Sequence, residues 1–165
     1  MKTEITGRRK ASVGERIIGV FLIVGGLLGI LTAVLIGLRF AKQNETSRAF
    51  IQVISASLFG WCIATGIALW RGFPGAVRVA QLLFALQVPA FTLARFSYEF
   101  STFASLRLMT GNTSHNIGGN IGSSFNLYWQ PEPLRAMFGI NIVAAIILVY
   151  LIRASRAGLV PTFRG

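Results

Sequence analysis

The stretch that decides the fold is Ile17–Leu38, which reads IIGVFLIVGGLLGILTAVLIGL. It contains 22 residues, none of which is charged. A helix rises about 1.5 Å per residue, so this run reaches roughly 33 Å, enough to cross a hydrocarbon core of about 30 Å. The sequence therefore predicts a transmembrane helix here. Small residues recur at every fourth position of the run, a spacing that lets a second helix approach closely. They are Gly25, Gly29, Ala33 and Gly37.

The composition of the whole chain supports the same environment. The chain has 165 residues, of which 53% are hydrophobic and 13% charged, and its mean hydropathy is +0.64. A soluble domain of this size could not bury so much apolar surface, whereas lipid can solvate it. The net charge is +11, but the basic residues lie at the ends of apolar runs. They therefore predict the lipid bilayer, not nucleic acid, as the partner of a single membrane domain.

Three further apolar runs predict helices at about 49–70, 76–95 and 135–152, besides 17–38. The third run contains Pro89, which predicts a kink. The second run has its own ladder of small residues, which predicts a close contact between the first two helices. Its members are Ala56, Gly60, Ala64 and Ala68. The alternative is that these ladders serve a partner chain.

The connection 96–133 is the one long loop between the predicted helices. Apolar and polar residues alternate on both sides of a centre rich in glycine and asparagine, which predicts a short β-hairpin. The alternative is an amphipathic segment at the membrane interface. The predicted fold class is thus an all-α integral membrane protein, a bundle of four transmembrane helices with one external loop that includes a hairpin.

The basic residues also predict an orientation. Four spans place both termini on the same side, and that side carries ten of the 16 Lys and Arg residues. Because cytoplasmic loops are enriched in Lys and Arg, both termini are expected in the cytoplasm. The compact form favours a bacterial inner membrane.

Polar side chains within the predicted spans are the candidates for chemistry, since they are costly in lipid. No acid and no histidine lies in these spans, and the amides of Gln81, Gln87 and Asn141 remain. They are interpreted as hydrogen bonds between helices, with a polar path for a solute as the alternative. With one cysteine, one histidine and no nucleophile motif, the sequence predicts no enzyme, no cofactor and no metal site.

The function predicted from the sequence is non-enzymatic: a structural, accessory or interaction protein of the membrane. Its partner would be a second copy of the chain or another membrane protein. The alternative is a small transporter or channel subunit, with a polar path between helices three and four.

Overall fold

A computed structural model describes residues 11–42, 46–93, 96–111, 115–129 and 136–156. Its elements in chain order are α1 (Val13–Lys42), α2 (Thr46–Trp70), α3 (Ala76–Gln87), β1 (Pro89–Leu93), β2 (Phe96–Ser101), β3 (Ala104–Gly111), β4 (His115–Ile121), β5 (Ser124–Trp129), β6 (Met137–Asn141) and α4 (Ile142–Arg156). The strands form one sheet in the order β4-β3-β6-β1-β2-β5, and all neighbours are antiparallel.

Helices α1 and α2 form a long hairpin. A capping box starts α1: Ser12 N donates to Glu15 Oε2 at 2.9 Å, and Glu15 N donates to Ser12 Oγ at 3.2 Å. The two helices come closest at Gly19 and Gly66, where a Cβ added to either residue would lie within 3.0 Å of the carbonyl oxygen of the other. Backbone therefore packs on backbone at this crossing, which side chains would prevent.

The third predicted helix, 76–95, is wrong in its second half. A turn containing Gly72 and Gly75, both with positive φ, leads from α2 into α3. Helix α3 ends at Gln87, and β1 begins at Pro89 instead of a kinked helix continuing through it. Proline cannot donate a backbone hydrogen bond, and the first residue of a strand tolerates it.

The fourth predicted helix, 135–152, is wrong in its first part for a related reason. Residues 137–141 form β6, and α4 follows without a break. β6 lies between β3 and β1, so its hydrogen bonds come from segments far away in sequence. Residues 94–95 and 130–135, where the predicted third helix ends and the fourth begins, lie outside the described residues.

The predicted all-α bundle of four transmembrane helices is therefore contradicted. Of the helices in the described ranges, α1 and α2 are long and apolar enough to span a membrane, as judged from length and composition. Helices α3 and α4 have 12 and 15 residues, which reach roughly 18 and 22 Å. The prediction of a multi-pass protein built from four spans is wrong. The loop 96–133, expected to hold one hairpin, contributes four strands of a six-stranded sheet.

We call the half of the α1–α2 hairpin that contains the start of α1 and the end of α2 the proximal half, and the half at the turn between them the distal half. The core lies where the proximal half meets α3, α4 and β2. Phe59 of α2 is almost fully buried, and its ring lies 5.6 Å from that of Phe100 in β2. Leu22 of α1 and Leu151 of α4 are completely buried in the same cluster. Beyond Gly26, the buried residues of α1 are Gly29 and Ala33. The distal half of the hairpin therefore buries a narrow stripe and exposes the rest.

Candidate functional site: a curved sheet with a polar inner face

The sheet has two faces of opposite polarity because apolar and polar residues alternate along its strands. Residues paired across an antiparallel ladder point to the same face. The face called convex below is formed by Phe91, Tyr98, Phe100, Leu106, Leu108, Ile117, Ile121, Phe125, Phe138 and Ile140. The polar residues of the face called concave are Thr92, Ser97, Glu99, Ser101, Ser105, Arg107, Ser124, Asn126 and Asn141; Ala90, Met109, Met137 and Gly139 lie on the same face.

An ion pair across the concave face reveals how strongly the sheet curves. Arg107 Nη1 of β3 contacts Glu99 Oε2 of β2. β6 and β1 lie between these two strands. In a flat sheet, three strand spacings of about 4.8 Å would separate the two backbones by roughly 14 Å. The side chains meet because the sheet is curved into a half-barrel, with the polar face inside.

Hydroxyl groups surround Glu99 on the concave face. Ser124 Oγ donates to Glu99 Oε1 at 2.9 Å, and the hydroxyls of Ser101 and Ser124 are also 2.9 Å apart. Since Ser124 uses its proton for Glu99, Ser101 is the donor to Ser124. The carboxylate is thus held in position by an arginine and by a chain of two serines.

Gln87 and Asn141, two residues of the polar path predicted from sequence, lie at the same end of the sheet, where β1 begins and β6 ends. Gln87 Oε1 accepts hydrogen bonds from Thr102 N at 3.1 Å and from Thr102 Oγ1 at 2.8 Å. Asn141 N donates to Val88 O at 2.8 Å. Asn141 Oδ1 accepts from Ala144 N at 3.4 Å, so Asn141 caps α4. These bonds join the end of α3, the start of α4 and the β2–β3 turn.

Three buried polar atoms near this end have no hydrogen-bond partner within the described part of the protein. They are Gln87 Nε2, Ser105 Oγ and Arg107 Nε. Gln87 is 1% exposed and Ser105 4% exposed. Buried donors are nearly always paired in folded proteins. Two of these atoms, Ser105 Oγ and Arg107 Nε, belong to the concave face of β3, which makes this part of the sheet a candidate for binding.

Helices cover part of the convex face. Phe100 packs on Phe59 of α2, and Tyr98 Oη donates to Leu86 O of α3 at 2.7 Å. Burial raises the pKa of Tyr98, so its phenol stays protonated and continues to donate. This covered part belongs to β2, at one side of the sheet.

The other part of the convex face is exposed. It lies on β3, β4 and β6 and consists of Leu106, Leu108, Ile117, Ile121, Phe138 and Ile140. Ile121 is 90% exposed and Ile117 71% exposed. Six large apolar side chains on adjacent strands form a continuous patch, whereas scattered exposed leucines are ordinary in proteins. This surface requires an apolar neighbour.

The predicted packing ladder of α1 lies largely on its buried side. Gly25 faces the backbone of Phe103 in the β2–β3 turn, Gly29 faces the ring of Phe59, and Ala33 is 3% exposed. Gly37 lies opposite the side chain of Gln52. The stripe of α1 thus packs against both the sheet and α2.

The predicted ladder of α2 lies beside the buried stripe instead of on it. The buried residues of α2 are Ser55, Phe59, Cys62, Thr65, Gly66 and Leu69. Ala56 and Ala68 are half-buried, Ala64 is exposed, and no side chain or neighbouring helix approaches a Cβ added to Gly60 within 4 Å. The backbone of α2 approaches that of α1 at Gly66, which is not a member of the ladder predicted from a spacing of four residues.

Gln81, the third residue of the predicted path, lies between α3 and α4. Its Nε2 donates to Leu151 O at 3.1 Å and to Ser155 Oγ at 3.3 Å. It does not share the end of the sheet at which Gln87 and Asn141 lie. The structure therefore brings two of the three predicted residues together.

Other candidate groups stand apart. His115 is exposed at the start of β4 and its Nδ1 lies 2.9 Å from Thr110 Oγ1. Within the described ranges, no group of three or more His, Cys, Asp or Glu side chains is close enough to hold a metal ion.

Glu99, Arg107 and Ser105 were missed by the reasoning from sequence, because they lie in a segment interpreted as an external loop. The alternation of Phe96–Ser101 did indicate a strand with two unlike faces. It could not indicate that the polar face is the inner one, since sheets usually bury their apolar face. No family model, no curated protein and no solved structure matches this chain.

Proposed function

We propose that this chain is a non-enzymatic interaction protein, held in a membrane by the α1–α2 hairpin, whose partner is a protein that binds the exposed part of the convex face. One observation carries the proposal: on β3, β4 and β6 the sheet exposes its apolar face, while its polar face is enclosed. Water favours the opposite arrangement, in which a sheet packs its apolar face on the core.

The position of the sheet along the length of the hairpin supports a partner that lies in the membrane. Ser123 Oγ donates to the carbonyl oxygen of Gly25, and Phe103 packs on Phe21 with ring centroids 4.9 Å apart. Both contacts lie within the uncharged stretch Ile17–Leu38. The sheet is therefore beside the membrane-length part of α1, and the apolar convex face is continuous with apolar surroundings.

The free edge of the sheet favours a protein over lipid as the occupant. β4 is a terminal strand and borders the exposed patch. An edge strand has unpaired backbone N–H and C=O groups, which lipid chains cannot satisfy. A partner that adds an extended segment to β4 and covers Ile117 with apolar side chains satisfies both needs. Gly118 and Gly119 leave the edge accessible, since neither has a side chain.

The distribution of basic residues supports the orientation within the same proposal. Arg39, Lys42 and Arg48 lie at the tip of the hairpin. Among the described residues, Arg16 and Arg71 lie at its two ends, and Arg78, Arg153 and Arg156 lie in the helices that follow. Both chain termini are then cytoplasmic, and the membrane is a bacterial inner membrane. The alternative of a transporter gains no support from Gln81, whose amide hydrogen bonds to α4.

Photo-crosslinking in native membranes tests the proposal. A benzophenone amino acid replaces Leu108 on the exposed part of the convex face, and, as a matched control, Asn126 on the concave face. We expect a protein adduct from position 108 and none from position 126. An adduct of twice the mass of the chain would identify the partner as a second copy. Adducts with lipid alone at position 108, or equal protein adducts at both positions, would contradict the proposal.

A further inference from the structure

We propose that β4 pairs with β4 of a second copy of this chain, antiparallel and about a twofold axis at Gly118. This inference deepens the proposed function and rests on it, because it names the partner that adds an extended segment to β4. It begins from the backbone groups at the edge of the sheet. Among the described strands, β4 pairs with β3 alone, and residues 117–121 are exposed.

The ladder between β3 and β4 shows which backbone groups face away from β3. Gly122 N donates to Phe103 O at 2.7 Å, and this pair continues the register of the two strands. In an antiparallel ladder, hydrogen-bonded pairs alternate with pairs that are not hydrogen-bonded. The backbones of Asn116, Gly118 and Asn120 therefore bond to β3. The N–H and C=O groups that point outward belong to the alternate residues, which are His115, Ile117, Gly119 and Ile121.

One register satisfies all of these outward groups with a second copy. With the axis at Gly118, Ile117 pairs with Gly119 of the second copy. His115 pairs with Ile121 of the second copy in the same way. Four residues, each with one N–H and one C=O, then take part in eight hydrogen bonds between the copies. An axis at Ile117 or Gly119 instead pairs one end of β4 with residues beyond the strand.

The residues near the axis permit this approach. Gly118 faces Gly118 of the second copy in a pair that is not hydrogen-bonded, where Cα atoms are about 4.5 Å apart. Ile117 lies opposite Gly119, which has no side chain to crowd it. The axis is perpendicular to the sheet, so the apolar convex faces of both copies lie on the same side. Pairing therefore joins the two exposed patches into one surface.

The composition of the edge favours pairing with a second copy. Edge strands are usually protected from pairing by lysine, proline or a bulge. β4 contains no lysine and no proline, and its register with β3 is unbroken. Arg107, the charged residue of β3, contacts Glu99, so its charge is compensated where two chains of net charge +11 approach. The edge is thus self-complementary, as a twofold dimer requires.

Disulfide crosslinking in native membranes tests the register. Cys62→Ala removes the single native cysteine, and Gly118→Cys then places two thiols at the axis, at a Cα separation that disulfides use. A Cβ at Gly118 meets no atom of another segment within 4 Å, so the variant should fold. Asn120→Cys is the matched control in the same strand, because the register separates the two copies of position 120 by roughly 14 Å.

After mild oxidation, Gly118→Cys should run without reductant at about twice the mass of the 17.9 kDa chain, and Asn120→Cys should run as a monomer. Coexpressed Asn116→Cys and Asn120→Cys chains should form a disulfide dimer, because the register pairs these two positions. Neither variant should do so alone.

Proline at position 119 tests the hydrogen bonds without a crosslink. Gly119→Pro removes an outward N–H and leaves the bonds to β3, and an edge strand tolerates proline there. Two of the eight bonds between the copies are lost, one from each chain. The Kd of the dimer in detergent, measured by sedimentation, should rise about 10- to 100-fold. Gly119→Ala keeps the N–H and should dimerise like the wild type.

The inference is overturned if Gly118→Cys and Asn120→Cys give equal yields of dimer, if both stay monomeric, or if Gly119→Pro dimerises as tightly as Gly119→Ala. Photo-crosslinking at Leu108 separates these failures from failure of the proposed function. An adduct with a different protein there, together with monomeric Gly118→Cys, removes the second copy as partner and leaves the proposed function standing. A disulfide at position 118 without a protein adduct at position 108 supports the pairing and contradicts a partner on the convex face.

Discussion

Replacing Gly66 by alanine tests the crossing of α1 and α2. A Cβ on Gly66 would lie 2.6 Å from the carbonyl oxygen of Gly19 and 2.8 Å from Ile23 Cγ1. Restoring an ordinary contact of about 3.4 Å requires the helices to separate by roughly 0.8 Å. A gap of that size forfeits a quarter to a half of the dispersion energy of each affected contact, and overpacking typically costs about 1–3 kcal/mol.

Gly60→Ala is the matched control in the same helix. No side chain or neighbouring helix approaches a Cβ there within 4 Å, so the variant should gain about 1 kcal/mol from helix propensity. Gly66→Ala has the same gain in helix propensity, so the two variants should differ by the overpacking cost alone, about 1–3 kcal/mol in the free energy of unfolding. That difference corresponds to roughly 2–12 °C in Tm for a chain of this size.

The assay is thermal unfolding of wild type and both variants in one detergent, followed by circular dichroism. Equal Tm values for Gly66→Ala and Gly60→Ala would refute the reasoning, because the two changes are chemically identical and differ in packing alone.

Three other predictions follow from the packing and the charges. Gly29→Leu should unfold the monomer, because a Cβ there would overlap the ring of Phe59; an intact fold that merely loses self-association would assign the ladder to a partner chain. Glu99→Gln should lower the free energy of unfolding by about 1–3 kcal/mol, and a double-mutant cycle with Arg107→Met should show coupling between the two residues; additive effects would contradict the ion pair. Burial raises the pKa of Tyr98, so the folded state holds the phenolic proton more tightly than the unfolded state, and the free energy of unfolding should fall as pH rises above about 10. In Tyr98→Phe the free energy of unfolding should fall less steeply with pH. An unchanged slope would exclude this contribution of Tyr98.

The two long helices could be predicted from sequence because one local property determines them. The runs 17–38 and 49–70 lie inside α1 and α2, and their length without a charge is sufficient to indicate a helix. The prediction needed no information about which segment packs against which. Capping by Ser12 and Glu15 adds a further local signal at the start of α1.

The remaining fold could not be predicted in this way because it depends on distant pairing. The apolar runs that contain α3 with β1 and β6 with α4 have the hydropathy of a single helix. A switch from helix to strand within such a run is decided by strand partners. β1 and β6 pair with each other although more than 40 residues separate them in the sequence. A hydropathy profile contains no information about such pairing, and a short apolar run can be either a helix or a strand.

The candidate site was partly visible in the sequence. Gln87 and Asn141 were selected because amides are unusual in apolar runs, and both lie at the end of the sheet where β1 begins and β6 ends. Arg107 and Glu99 were not selected, since nothing local shows that two charges in a polar segment meet across four strands. The curvature that joins them is a property of the whole sheet.

The most direct test of the account asks whether the distal hairpin enters lipid. Leu31 is 56% exposed on that part of α1, and Asn126 is exposed at the edge of the concave face. Each is changed to cysteine in a Cys62→Ala background, labelled with an environment-sensitive fluorophore, and reconstituted in liposomes whose acyl chains contain a quencher. We expect the label at position 31 to be quenched and the label at position 126 not to be quenched. A label at position 31 that escapes the lipid quencher and responds to aqueous iodide instead would contradict it.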